Sequence, residues 1–419
     1  MSIGWGHIAR LCLANMAIGG LSALPVNLFN RLMTVELALP AILPGLLVAL
    51  HYAVQLSRPY WGHRSDTKGG RTQFILGGTA LVGLGLVLTA WGIGFAPSTS
   101  IALMTWIVAY TAIGFGIGAA GTSFLALLAT AVPDQKKGIA ATIAWLSLIF
   151  GAVIFSISVG AALQPYTPER LMLVVAAVAL ACFILAFIAT WRIEARLSFK
   201  PEPSEPDLKA ALAATFADRA ARAFTGFVFL SILAFYLSEL VLEPFAGHVH
   251  GLTPGESTKL SGGKDGAALL GMIGAGVLSA LGLGSLRQWA VWGCIISAIG
   301  LLGLSAGLPI LAFTVVLGLG NGLFVIGAVG SMMRLAAERR GAAGTRMGVF
   351  GAAQAIAAGL AGLIATGSVD LMRLTLPAEA AYGIVFGVEA LLFLAAAFVA
   401  SRLLTSEPRS QSQAEESYV

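Results

Sequence analysis

Apolar runs of roughly 20 residues recur along the whole of this 419-residue chain, separated by short polar stretches. A helix needs about 20 apolar residues to cross the hydrocarbon of a bilayer, whereas a barrel strand needs only about ten. Within that slab each segment must satisfy its own backbone polar groups, so runs of this length read as membrane helices. Composition agrees, with 58% AVILMFWYC and only 11% charged residues, against about 25% charged in soluble domains. A soluble protein of this size could not cover its surface with so few charges, and a disordered chain, a fibrous protein and a nucleic-acid binder are excluded on the same numbers. Cys12, Cys182 and Cys294 lie inside apolar runs with no C-x-x-C pair, which supports neither a disulfide framework nor a zinc site.

Spans are predicted near 9–29, 40–57, 73–95, 100–131, 139–163, 170–191, 223–246, 265–285, 288–307, 309–335, 347–369 and 381–404, which makes twelve. The first reads as an uncleaved helix, because no small-x-small cleavage site ends it. An even number of spans puts both termini on one side. Twenty of the 25 lysines and arginines then share a face, and Arg31, Arg170, Lys259, Lys264 and Arg373 fall on the other. The positive-inside rule makes the first face cytoplasmic, with N and C termini both inside. The longest polar interruption divides the chain into an N-terminal six-helix half (1–195), a cytoplasmic linker with a surface helix (196–222), a C-terminal six-helix half (223–404) and a disordered tail (405–419). The expected fold is all-α, with the two six-helix halves of the major facilitator architecture.

The loop after span two, Gly62-His-Arg-Ser-Asp-Thr-Lys-Gly-Gly-Arg71, resembles the facilitator signature G-x-x-x-D-[RK]-x-G-[RK]. Its glycines permit a tight turn, and Asp66 is placed to pair with Arg64 or Arg71 and to accept from helix N-termini. In span seven, Ser238-Glu-Leu-Val-Leu-Glu-Pro-Phe-Ala-Gly247 sets Glu239 and Glu243 on one helical face. Pro244 removes a backbone donor and frees a carbonyl near Glu239–Leu240. Acidic residues in a span are costly and suggest function, although Glu243 falls near the far end, where water is close and a hydrated cap is the competing reading.

These runs together resemble the PucC/LhaA family, the facilitator-like proteins of photosynthetic bacteria. Span seven is similar to that family's D-V-L-L-E-P-[FY]-G. Asn30-Arg-Leu-Met-Thr-Val-Glu-Leu-Ala-Leu-Pro40 is similar to its L-N-R-x-M-x-V-E-L-x-x-P, and Arg58 with Gly62-His-Arg-Ser-Asp66-Thr67 to its R-x-x-x-G-H-R-S-D-T. Gly121–Leu128, Gly348–Gln354 and Tyr382–Glu389 extend the likeness over most of the chain. Ser238-Glu239 stands where the family tends to show Gln-Asp, and the segment His248–Asp265 reads as a long, polar periplasmic stretch.

The resemblance implies a bacteriochlorophyll carrier or assembly factor of the bacterial inner (intracytoplasmic photosynthetic) membrane. Its cargo would be bacteriochlorophyll or a precursor, and its partners membrane lipids and light-harvesting polypeptides or a pigment-synthesis enzyme. It implies no nucleotide and no nucleic acid. For such a cargo His51, about 16 Å into span two at 1.5 Å per residue, is the side chain placed to ligate a pigment magnesium, beside Tyr52. A histidine hydrogen-bonded between helices is the structural alternative. Glu239, Glu243 and Asn321 are further contact candidates, with helix–helix hydrogen bonding the alternative for Asn321. Glu389 lies mid-span in helix twelve, on the outside of this fold, and so calls for an internal partner or a docked membrane protein. Arg31 with Glu36, and Arg58 with Asp66, are expected to hold loop geometry. No H-E-x-x-H, Walker loop or nucleophile elbow is present, and the chain is expected not to be an enzyme. A proton-coupled exporter of small amphiphiles, using Glu239, and a non-transporting scaffold for antenna polypeptides are the rival readings.

Overall fold

The computed structural model describes residues 4–58, 60–61, 70–132, 137–194, 217, 219–337 and 343–403. Among them twelve long helices follow one another: α1 Trp5–Val26, α2 Ile42–Gln55, α3 Arg71–Gly94, α4 Thr99–Ala131, α5 Lys137–Ala162 and α6 Pro168–Thr190. These are followed by α7 Arg219–His248, α8 Pro254–Ala280, α9 Leu286–Ser305, α10 Ile310–Ala337, α11 Ala343–Arg373 and α12 Ala378–Leu403. After α1 the chain continues through a helical turn, Leu28–Arg31, and a π-helical turn, Leu32–Glu36. Ten of these segments, the first taken through Glu36, are long and apolar enough to cross a membrane. The exceptions are α2, with 14 residues, and α8, whose first half is polar.

Eleven spans fall within a few residues of their expected positions. The eighth does not: α8 begins at Pro254, not near 265, and most of the stretch read as a periplasmic segment is helix. Thr253 and Glu256 form a reciprocal capping box. The Glu256 N–H donates to Thr253 Oγ1 at 3.3 Å, the Thr253 N–H donates to Glu256 Oε2 at 2.9 Å, and Pro254 occupies the first turn. These satisfy helix-end donors that would otherwise be orphaned, so a polar sequence starts a helix here. Two of the five cations assigned to the sparse face are also relocated, since Arg31 and Lys264 are both buried. Most of the expected linker (196–216) and the expected tail (405–419) lie outside the described residues, and α7 already begins at Arg219 within the expected linker.

Helix pairing repeats with a displacement of six. In the N-terminal half α1 packs on α5 and α6, α2 on α4, and α3 on α4 and α6; in the C-terminal half α7 packs on α11 and α12, α8 on α10, and α9 on α10 and α12. This is the pattern of nested repeats. The halves meet along two seams, α2 with α11 and α5 with α8. In the second seam a Cβ added to Gly160 would stand 2.6 Å from the Gly255 carbonyl oxygen, and one added to Gly255 would stand 2.5 Å from that of Gly160. The backbones therefore touch, and only glycine fits at both positions.

Candidate functional site

Helix α7 organises the site. Pro244 lies inside it without ending it, and because proline has no N–H the Leu240 carbonyl four residues earlier loses its helical partner. Asn30 Nδ2, just after α1, donates to that carbonyl. The expected opening of the helix is thus met by a side chain from the other half. Next to Asn30, Arg31 Nη1 bonds Glu36 Oε1 and Nη2 bonds the Leu252 carbonyl after α7, each at 2.6 Å. Through these bonds Arg31 ties the α1 end, with Glu36, to the α7–α8 connection.

Inside the C-terminal half, Lys264 of α8 is only 2% exposed and its ammonium is paired with Glu239 of α7. Asp265 lies 3.7 Å from the same ammonium, with its side chain 21% exposed. Glu243, one turn along α7 from Glu239, is fully buried, not at a solvent-exposed helix end. Ser257 and Thr258 of α8 each donate to its Oε2 at 3.4 Å, while its Oε1 has no partner. Ser257, Thr258, Ser261, Lys264 and Asp265 recur at the spacing of one helical face, which α8 turns toward α7. Glu389 of α12 is also fully buried. It points into the bundle, not toward lipid.

Tyr52 of α2 crosses the inter-half boundary to meet Tyr236 of α7 edge-on, with ring centroids 5.7 Å apart. His51 is on the other side of Tyr52, 2% exposed, with its ring 4.9 Å from the tyrosine ring. Arg58 donates to Gln55 Oε1, which fixes the amide orientation, so Gln55 Nε2 donates to His51 Nε2 at 2.8 Å. The imidazole proton of the neutral ring is then on Nδ1, a buried atom with no hydrogen-bond partner. A magnesium needs a lone pair, and this ring offers an N–H. As arranged here, His51 does not fit the role of axial ligand.

The remaining expected residues are placed elsewhere. Asn321 accepts from Ser297 at 2.8 Å, a bond between α9 and α10 within one half. Arg71 is buried at the start of α3, where its Nη1 donates to the Ala126 carbonyl at 2.7 Å. Gly62, Arg64 and Asp66 lie outside the described residues. At the opposite end Asp370 of α11 accepts from the Ala41 and Ile42 N–H groups at 2.9 and 2.7 Å, and so caps α2 across the first seam.

Sequence reasoning missed Lys264, Asp265, Tyr236, Asp370 and the role of Asn30. For the α8 residues a signal existed in the Thr253-Pro-Gly-Glu256 capping box, which announces a helix before the apolar run begins. Nothing local could pair Asn30 with a carbonyl 210 positions away.

A family model described as PUCC protein matches residues 28–408. The chain is 48% identical over 415 residues to the bacteriochlorophyll synthase 44.5 kDa chain of Rhodobacter capsulatus, covering 97% of each. That name corrects the expectation that the chain is not an enzyme, for a relative 48% identical over 97% of both chains is named as a chain of a synthase. Protein PucC of Rhodobacter capsulatus is 30% identical, covering 95% of this chain and 92% of the relative. Protein PucC of Cereibacter sphaeroides is 29% identical, with 84% and 81% covered. Among solved structures, a bacterial homologue of the human drug peptide transporters PepT1 and PepT2 superposes with a TM-score of 0.71 at 15% identity, over 96% of this chain and 98% of that one. That likeness shows the fold alone, a twelve-helix bundle of the major facilitator architecture. With the family match running from just after α1 to beyond the end of α12, this multi-pass membrane protein belongs to the PUCC protein family.

Proposed function

We propose that this chain handles bacteriochlorophyll or a precursor within the membrane, presenting it to a pigment-synthesis enzyme with which it works or to light-harvesting polypeptides. The observation that carries the reading is the end-to-end kinship with a chain of bacteriochlorophyll synthase. The boundary between α2 and α7 supplies groups suited to a flat, apolar macrocycle with polar edges: the Tyr52 and Tyr236 rings, and the partnerless Nδ1–H of His51. In this reading His51 donates a hydrogen bond to a carbonyl of the ring system and leaves the magnesium to another ligand. Glu239 and Glu243 line the adjoining part of α7. The relocation of Arg31 and Lys264 into the bundle sharpens the charge bias, which supports an inner-membrane protein with both termini cytoplasmic.

Purification from the native membrane followed by absorption spectroscopy tests this. Stoichiometric pigment is expected, with its loss or a shifted band in His51→Phe. Colourless protein that copurifies with antenna subunits overturns the reading in favour of a scaffold, and colourless solitary protein with proton-driven flux overturns it in favour of an exporter.

A further inference from the structure

The mid-membrane charges do not balance. Among the described residues Lys264 is the one ammonium at this level, and Glu239, paired with it, uses its charge. Asp265 is partly exposed and lies beside the same ammonium. Glu389 has neither resource. It is completely buried, among the described residues it makes no ion pair, and the polar group against its carboxylate is the neutral Ser238 of α7, whose hydroxyl also reaches the Phe235 carbonyl at 3.4 Å. The charged groups around it are Glu239 on α7 and Lys264 on α8. Neither α9 nor α11 supplies another at this depth, since Arg287 is in the first turn of α9 while Arg346, Asp370 and Arg373 are near the ends of α11.

A third, fully buried carboxylate beside one cation, with no countercharge of its own, is the arrangement a bilayer interior tolerates least. An O–H bond removes the charge at once. We propose that Glu389, with the adjoining Lys264–Glu239 pair, forms a proton-binding site in the C-terminal half of the bundle. The chemistry is a single exchange: a carboxylate oxygen takes a proton from water and becomes a carboxylic acid, and returns it on release. A metal cation is a poor occupant, because the Lys264 ammonium already holds the central position. The site neighbours the inter-half boundary, since Tyr236, three residues before Glu239 on α7, meets Tyr52 of the other half. Proton occupancy thereby sets the charge behind the α7 segment that contacts α2. The proposal concerns the protein without cargo and does not rest on the pigment reading.

Infrared difference spectroscopy of the full chain in lipid vesicles, stepped from acidic to alkaline buffer, tests it. The expected result is a carbonyl-stretch band of a protonated, buried carboxylic acid that fades as the pH rises. That band is lost in Glu389→Gln and kept at a shifted frequency in Glu389→Asp, which retains the carboxyl if the first variant folds poorly. Lys264→Gln moves the fading to higher pH, because removing a neighbouring cation favours the proton-bound form. An unchanged band in Glu389→Gln, a Glu389 band that ignores pH, or one that responds to sodium at constant pH overturns the proposal.

Discussion

At the residue level the site is built from groups that would each be untenable alone. The Leu240 carbonyl, orphaned by Pro244, is satisfied by Asn30, and this pairing makes a specific double-variant prediction. Asn30→Ala should lower stability by about 1–3 kcal/mol, the usual cost of a buried unsatisfied carbonyl. Pro244→Ala in the same chain should restore most of it by supplying the missing helical N–H. Thermal melts of the four chains of this cycle in detergent measure the coupling, and additive losses would refute it. Lys264 is a parallel case. Lys264→Met strands Glu239 and Asp265 in the bundle and is expected to cost about 3–5 kcal/mol, with Lys264→Met/Glu239→Gln recovering a large part. The acidic pair Glu239 and Glu243 and the proline were legible as unusual in the sequence, and Asn30 only as part of a family-like run. Their partners were not, because hydrogen bonds between distant helices leave no periodic trace.

At the level of elements, α8 shows how a polar sequence becomes a membrane helix. Its first half fails any hydropathy test, yet Thr253 and Glu256 cap it and its hydroxyls and charges turn toward α7, where carboxylates await them. Thr253→Ala should destabilise the protein by about 1 kcal/mol through the lost cap, measurable as a lower melting temperature. Where helices touch through glycine, the penalty comes from overpacking. Gly255→Leu would drive a side chain into the Gly160 backbone and is expected to cost about 1–3 kcal/mol or to part α5 from α8. Eleven of the twelve spans were readable from the apolar runs of the sequence, although α2 is short. The eighth required weighing the capping motif above the hydropathy, since the helix is stabilised by its neighbours and not by lipid.

For the whole molecule, contacts between the halves tie together the end that carries the α1–α2 and α7–α8 connections. Arg31 bonds the Leu252 carbonyl, Asp370 caps α2, and Lys259 donates to Gln164 at 3.3 Å. Asp370→Ala releases the N-terminus of α2 from α11 and should loosen this end. A chain carrying Gln164→Cys and Lys259→Cys reports on it, since Cys12, Cys182 and Cys294 are buried and do not compete. Crosslinking of the pair with a short bifunctional reagent should drop severalfold when Asp370→Ala is added, and an undiminished yield would show that the latch has no part in holding the halves together.

By itself the sequence determined that the chain lives in a membrane, that it has two halves of six helices, and which segments carry the family likeness. These follow from the length of apolar runs, the bias of lysine and arginine, and local motifs, all of which are short-range properties. Only the tertiary structure decided that Lys264 is an interior cation, that Glu389 faces inward and is fully buried, and that His51 presents a proton and not a lone pair. Each of those depends on which groups from remote helices share a dry interior, where one absent or present neighbour outweighs any local preference.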